Sequence, residues 1–381
     1  MITPLEGLGR GTSRNLSANE VEGTVSGALE KVRGRATAAW NLGRAIVCNR
    51  AGLLTRPSLA HLYVTWRCNL RCQSCNVWRK DIYPELPTDE MLKVIKQLRF
   101  LDVVKLTGGE PFLRDDLEVL VEAVDRHIQP AMLHIVSNGS LSDRTAQLAE
   151  RLGNPRMHFR ISLEGGNVSH NRLRGRTWAF ERAWRTLERL VALRKGRGFH
   201  VGVNFHLCEE TLPELSAIAD YCRSHRVDLV PGFNSYPFLE DRYENVWLEH
   251  DATTRAHLVE RFQEIWSMRA GMTPWEALLA RRQGVRAASE MSLGCEATRF
   301  SCRELRNLMY VLPNGNLVTC GLKHRPIGNL AMERFDDLWF GTRIEPFRRE
   351  VDACPGCWQT SIRMASRLYS GDLKKSPAIS S

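Results

Sequence analysis

His61-Leu62-Tyr63-Val64-Thr65-Trp66-Arg67-Cys68-Asn69-Leu70-Arg71-Cys72-Gln73-Ser74-Cys75 joins an apolar, β-prone run to three thiols spaced C-x3-C-x2-C. The run predicts a strand, because branched and aromatic side chains suit a pleated backbone. The loop behind it carries three thiols with no fourth in reach. Such a set suits a metal centre that keeps one coordination position open, and chemistry is expected at that position.

Outward from this stretch, strand-like and helix-like segments alternate. Strands are predicted at 61–66, 103–107, 132–137, 158–163, 200–206 and 227–231, and helices at about 88–99, 115–127, 142–152, 178–195 and 212–225. This alternation means a parallel sheet with right-handed crossovers, in a barrel or an open sheet alike. The loops at the carboxyl ends of the strands then form the active face. After strand two comes Gly108-Gly109-Glu110-Pro111: the glycines let a ligand approach bare backbone, Glu110 can receive an ammonium group, and Pro111 fixes the turn. Strand three ends in Ser137-Asn138-Gly139, small polar groups able to hold sugar hydroxyls. Strand four ends in Ser162-Leu163-Glu164-Gly165-Gly166 and leads to His170, Arg172, Arg174 and Gly175. Each turn alone is ordinary loop geometry; their shared location is the stronger signal.

Residues 1 to about 25 read as a flexible tail. Over 29–50, Leu29, Val32, Ala36, Trp40, Gly43, Ile46 and Val47 form one helical face with basic residues on the others. A basic amphipathic helix of this kind packs on the main domain or touches an anionic membrane surface. Aromatic residues after 233 precede helical patterns near 252–270 and 274–289, a bridge in which substrate contacts are expected. Beyond it, Cys302 precedes a hairpin signalled by Asn314-Gly315 and ending in Cys320, and Cys354-Pro355-Gly356-Cys357 adds a C-x2-C pair. Four such thiols can close a fully ligated metal site. The tail after about Arg367 reads as frayed.

At 381 residues and 43% hydrophobic, the chain can bury a large core. The N-terminus lacks the order of a secretory signal and no apolar run reaches a membrane span, so the cytoplasm is expected. Eleven cysteines in such a chain favour metal binding or catalysis over disulfides. Cys48, Cys208, Cys222 and Cys295 stand apart from the two groups and read first as small buried hydrophobes. The net charge of +10 suits anionic partners, without choosing among them.

The C-x3-C-x2-C loop, the Gly-Gly-Glu-Pro turn and the Ser-Asn-Gly end resemble the radical S-adenosylmethionine (radical SAM) enzymes, over most of residues 59–232. The C-terminal section resembles the auxiliary-cluster extension called SPASM, and more closely its shortened twitch form, because no cysteine follows Cys357. The resemblance implies an α/β fold: a partial (β/α)6 TIM-like barrel with a small C-terminal β-hairpin/helix auxiliary-cluster domain. The expected divisions are 1–57, the core 58–235, the bridge 236–290 and the cluster domain 291–381.

It further implies that Cys68, Cys72 and Cys75 hold a 4Fe-4S cluster whose fourth iron takes the amino and carboxylate groups of S-adenosylmethionine. Glu110, with Gly108 and Gly109, would bind the ammonium; Ser137 and Asn138 would approach the ribose. Ser162 or Glu164, with Arg174, would complete the ribose and carboxylate contacts. The family's aromatic residue before the third cysteine is replaced by Ser74, which leaves Trp78 to cover the adenine. Cys302, Cys320, Cys354 and Cys357 would hold one auxiliary 4Fe-4S cluster that carries an electron.

The function implied is reductive cleavage to a 5′-deoxyadenosyl radical, hydrogen abstraction and oxidation of a small natural-product or cofactor precursor, or of a peptide. An external flavodoxin- or ferredoxin-type donor is expected as partner. Epimerisation or cross-linking of a peptide is the alternative, with Cys208 and Cys295 as hydrogen-donor candidates. A zinc-stabilised nucleic-acid-binding protein is the remote one, and nucleic acid is not the expected partner.

Overall fold

The computed structural model describes residues 36–37, 39–73, 75–79, 84–232, 252–267, 302–354, 357 and 360–371. A helix over 39–50 (α1) leads to β1 (Leu59–Thr65). Then follow α2 (Thr88–Gln97), β2 (Val103–Gly108), α3 (Leu117–His127), β3 (Met132–Ser137), α4 (Ser142–Leu152) and β4 (Met157–Ser162). Next come α5 (Asn167–Arg174), α6 (Ala179–Arg197), β5 (His200–His206), α7 (Leu215–Ser224), β6 (Asp228–Gly232) and α8 (Ala252–Ser267). The C-terminal part holds β7 (Leu308–Val311), β8 (Asn316–Val318), β9 (Pro326–Asn329), α9 (Phe335–Phe340), α10 (Glu345–Asp352) and α11 (Thr360–Ser370).

The strands form one open sheet in the order β6-β5-β4-β3-β2-β1-β7-β8-β9. β1 to β6 are all parallel, as the alternation of elements required. The architecture is therefore an open partial barrel. Register and burial explain its two faces. Leu62, Leu106, Ile135, Phe159, Ile161 and Val203 are at most 1% exposed and pack under Val94, Leu120, Val124, Leu187 and Leu190 of the helices. Each such side chain contributes about 1.5–3 kcal/mol on burial. The alternate residues face inward and stay partly open, as in the burial pattern of β4, where every second residue is half-buried.

The C-terminal hairpin continues this sheet. β7 lies parallel to β1, with Leu59 opposite Leu308 and Leu62 opposite Val311. β8 and β9 add antiparallel strands beyond it. The Gly328-Asn329 segment is thus the end of a strand, and Asn329 Nδ2 ties it to the Asn314 carbonyl at 2.8 Å and to Asn316 Oδ1 at 2.9 Å.

Two expectations change. The α1 face containing Trp40 and Val47 points outward, at 74% and 67% exposure, whereas Ala45 and Leu42 pack inward. The reason is polar as well as apolar: Asn49 on the inward side donates to Asn307 Oδ1 at 2.7 Å and to the Tyr369 carbonyl at 2.8 Å. The same contacts hold the segment from Arg367 to Gly371. α11 runs to Ser370, and Tyr369 is 5% exposed in a cluster with Ala45, Leu59, Val103 and Leu308. The helix expected at 274–289, the aromatic residues after 233 and the tail 1–25 lie outside the described residues.

Candidate active site

β1 delivers the cysteine loop to the carboxyl end of the sheet, where it is pinned on two sides. On one side the Arg71 and Gln73 amides donate to the Arg174 and Leu173 carbonyls at 3.1 and 3.0 Å. That close approach needs Gly175, which ends α5 at φ 67° and whose Cβ position lies 2.5 Å from the Arg71 carbonyl oxygen. On the other side Asn69 Nδ2 donates to Ser140 Oγ at 2.9 Å, and Asn138 Nδ2 donates to Asn69 Oδ1 at 3.0 Å.

The thiols meet one cation and one amide donor. Arg174 Nη1 lies 3.6 Å from Cys72 Sγ, and its Nη2 binds Glu164 Oε1 at 2.7 Å. Asn138 Nδ2 lies 4.0 Å from Cys68 Sγ. Burial pushes Cys68 and Cys75 up to about 12 and raises Cys72, while the Arg174 charge opposes the shift at all three. Metal ions displace such protons, and the guanidinium and amide donors then offset thiolate charge. The donor set, free of disulfides, fits a thiolate-ligated cluster. Among the described residues no three ligating groups are yet closed around one point.

The neighbouring turns serve this loop. Gly108 and Gly109 admit the chain's own backbone: a Cβ would lie 2.3 Å from the Thr65 carbonyl oxygen at the first and 2.1 Å from that of Arg67 at the second. Glu110, fully buried, accepts from Phe112 N–H at 3.2 Å, Ser137 Oγ at 2.9 Å and Asn138 N–H at 2.7 Å. Burial raises its carboxyl to about 7 against those hydrogen bonds. Glu110 and Ser137 therefore brace the β3 turn that carries Asn138. Pro111 opens a short 3-10 turn over Pro111–Leu113 that Glu110 caps.

Ser162 stands half-buried at the end of β4. The Glu164 amide donates to His170 Nδ1 at 2.9 Å, which leaves the ring proton on Nε2. That Nε2 is buried without a partner among the described residues, and burial and Arg174 push the imidazole down to about 3. Trp78 Nε1 is likewise buried and unpartnered among them, but the Arg79 and Arg71 guanidiniums lie 4.8 and 5.7 Å from the ring centroid. Two buried N–H groups thus remain for a ligand. Cys208, half-buried, is 3.7 Å from Thr211 Oγ1, and the nearby Glu164 charge helps raise its thiol. Cys295 lies outside the described residues.

The pairing of β7 with β1 brings the second cysteine group alongside. Cys302 senses Cys357 and Cys320, and Cys320 senses Cys354, as neighbouring charges that add to burial in raising these thiols. Between the two groups stands an apolar wall of Tyr63, Trp66, Val77, Tyr310, Leu312 and Val318, against which Cys75 packs. Burial first, then the charges of Cys75, Glu304 and Cys320, raise the Tyr63 phenol, so this ring faces both groups. Sequence reasoning missed Glu304: it is 1% exposed, and neither carboxylate oxygen has a partner among the described residues. Its place two residues after Cys302 was the available signal.

Residues 62–221 match the model of the radical SAM superfamily, and residues 302–358 that of an iron-sulfur cluster-binding domain, SPASM. Together these stretches take in more than half of the chain. The chain belongs to the radical SAM superfamily. The two matched stretches carry the two cysteine groups, Cys68, Cys72 and Cys75 in the radical SAM domain and Cys302, Cys320, Cys354 and Cys357 in the iron-sulfur cluster-binding domain.

Fe-coproporphyrin III synthase of Methanosarcina barkeri is 30% identical over 43% of this chain, a match spanning 40% of that protein. Sporulation killing factor maturation protein SkfB of Bacillus subtilis is 22% identical over 78% of this chain and 68% of its own. Streptococcus suis SuiB, solved with its precursor peptide SuiA, shares the fold at a TM-score of 0.57 and 16% identity, covering 91% of this chain and 76% of that one. No helix among the described residues is long and apolar enough to cross a membrane.

Proposed function

We propose that this radical SAM enzyme oxidises an organic substrate, a small natural-product or cofactor precursor or a peptide, with Cys68, Cys72 and Cys75 holding the catalytic cluster and Cys302, Cys320, Cys354 and Cys357 one auxiliary 4Fe-4S cluster. When bound, these groups supply reductive cleavage of S-adenosylmethionine, hydrogen-atom abstraction from substrate and an acceptor for the electron left behind.

The chain's own residues do the rest. Arg174 and Asn138 offer positive charge and N–H groups to the sulfurs, and Glu164 fixes the Arg174 guanidinium. Glu110 and Ser137 hold the Asn138 turn in register with the loop. The Tyr63–Tyr310 wall keeps water from the space between the two thiol groups, and His170 Nε2 and Trp78 Nε1 offer donors to a ligand. The observation that carries the oxidative reading is the parallel pairing of β7 on β1, which sets the second cysteine group beside the first. The names of SkfB and SuiA favour a peptide and that of the porphyrin synthase a small molecule.

A redox-neutral reading rests on Cys208, whose thiol lies near Glu164 on the same rim. Peripheral contact with a membrane is a further part of the proposal, supported by exposed Trp40, Val47 and Leu53 beside exposed Arg44 and Arg50. A flavodoxin- or ferredoxin-type protein is the proposed electron donor.

Anaerobic reconstitution tests the reading. It expects about eight iron and eight sulfide per chain, falling by about half in Cys68→Ala/Cys72→Ala/Cys75→Ala and in Cys354→Ala/Cys357→Ala. Reduction with S-adenosylmethionine present should give 5′-deoxyadenosine, lost only in the first variant. A colourless protein holding zinc alone would refute it. Deuterium entering product from heavy water, and lost in Cys208→Ala, would replace oxidation by epimerisation.

A further inference from the structure

The strand register places one row of polar rings and charge across the inner face of the sheet. Tyr310 of β7 is opposite His61 of β1, His61 opposite Lys105 of β2, Lys105 opposite His134, His134 opposite His158, and His158 opposite His200. His61–Tyr310 and His158–His200 stack at 4.3 Å each, and the His134–His158 rings lie 4.8 Å apart, tilted by 33°. Among the described residues the row is no chelate, and His61 and His134, which flank Lys105, can offer N–H groups beside its ammonium.

Lys105 is the only formal charge in the row, and no hydrogen bond or ion pair holds its ammonium among the described residues. Another cation, Arg160, adds to burial in lowering the lysine. Arg160 is itself matched. Its guanidinium crosses Gly202, where a Cβ would lie 2.3 Å from Nη1, to reach Asp228 Oδ2 at 2.6 Å. Lys105, Arg160 and Asp228 together leave one positive charge in excess at the middle of the row, while the buried Glu304 carboxyl lies near Tyr310 at its end. Burial holds His61 and His134 in their neutral forms, ready to donate one N–H each.

The row is also the last polar layer. Directly beneath it Leu59, Val103 and Leu308 close the floor with Ala45 and Tyr369. Above it Thr107, Val136 and Arg160 are half-buried, whereas Tyr63, Leu312 and Gly202 are buried, so the row opens toward the strand ends over β2 and β3, where Lys105 stands. Lys105 lies three residues before Gly108, about 10 Å below the rim at about 3.3 Å per residue. A molecule whose acidic end rested on the floor would present its other end to the cysteine loop.

We propose that this row is an anion seat, with Lys105 at its centre, which grips a carboxylate or phosphate of the substrate and so selects acidic substrates. It deepens the radical-enzyme reading only in naming the substrate class. A cation without a counter-ion, flanked by neutral donors and reachable from one side, is what an anionic ligand completes.

The test needs no turnover. Anaerobically reconstituted protein is labelled with limiting acetic anhydride in chloride, in inorganic phosphate and in succinate at equal ionic strength, and modified lysines are mapped by mass spectrometry. An anion at ten times its dissociation constant leaves about one site in eleven free, so Lys105 labelling should fall about tenfold. Lys93, 61% exposed, should not change.

Protection by phosphate alone assigns a phosphate-bearing substrate, by succinate alone a carboxylate, and by both the shared chemistry. The protecting anion should also raise the melting midpoint of the wild type and Lys105→Arg, and not that of Lys105→Met. Equal labelling of Lys105 in all three salts overturns the proposal, whether or not the Met variant folds. Iron and sulfide content of the same sample tests the enzyme reading separately.

Discussion

Lys105 should cost the ligand-free enzyme stability, and removing its charge should return it. Burial, with the Arg160 charge beside it, holds the ammonium near about 8 instead of its ordinary 10.5. At about 1.4 kcal/mol for each tenfold change in proton affinity, the full cost of keeping it charged is about 3 kcal/mol at neutral pH. Water reaching the half-buried side chain reduces this to about 2 kcal/mol. The sign follows from proton binding. Between pH 8 and 10.5 the unfolded chain holds a proton that folded Lys105 has shed, so stability rises with pH across that window. Below 8 the penalty is complete; above 10.5 it is gone. Lys105→Met should therefore melt about 2.5 °C higher than the wild type at pH 7. The difference should shrink steadily to nothing by pH 10.5, because every other titrating group is common to both proteins. Thermal melts of the two at a series of pH values make the measurement. A variant no more stable at pH 7, or an advantage that does not change with pH, would refute the uncompensated cation.

Arg174→Met should strip charge from the sulfur side of the loop and leave Glu164, whose side chain is 8% exposed, without its partner. The expected cost is about 3–5 kcal/mol in chemical denaturation. Reconstituted protein should also lose iron faster to a chelator than Arg174→Lys does. Arg114 donates to the Val64 carbonyl at 2.7 Å and the Leu86 carbonyl at 2.9 Å, and pairs with Asp116 at 2.7 Å. Arg114→Met should cost about 3 kcal/mol by leaving these buried acceptors unmet, read as a lower urea midpoint. Cosedimentation checks the outward face of α1: binding to anionic phosphatidylglycerol vesicles and not to neutral phosphatidylcholine ones is expected, lost in Trp40→Ala/Arg44→Glu. Equal binding of the variant would remove the membrane role.

The parallel sheet was legible because its strands are short apolar runs set between helical periodicities, and the observed boundaries moved by only a residue or so, as at Met157–Ser162. α5 was missed: Asn167-Val168-Ser169-His170 offers no apolar stripe, and that helix is held by Glu214, which takes Gly166 N–H at 2.6 Å from a distant element. α1 was oriented wrongly for a related reason. Its apolar side chains mark a face, but the decision lies with Asn49 and its partners Asn307 and Tyr369, more than two hundred residues away. The two cysteine groups were readable as spacing; that they share one wall, with Tyr63 between them, needed the β1–β7 pairing, which no local pattern encodes. Gly108, Gly109 and Glu110 look in sequence like a ligand cradle, and their close contacts among the described residues, with Thr65, Arg67, Ser137 and Asn138, show that the turn also holds β1, β2 and β3 in one register. The histidine row makes the converse case. His61, Lys105, His134, His158 and His200 lie scattered over more than a hundred residues with nothing to link them, and only a shared strand level turns them into one charged surface. Residue type and spacing therefore expose chemistry that sits within one loop. Chemistry assembled across parallel strands is set by register, which depends on how each strand packs beneath its own helices.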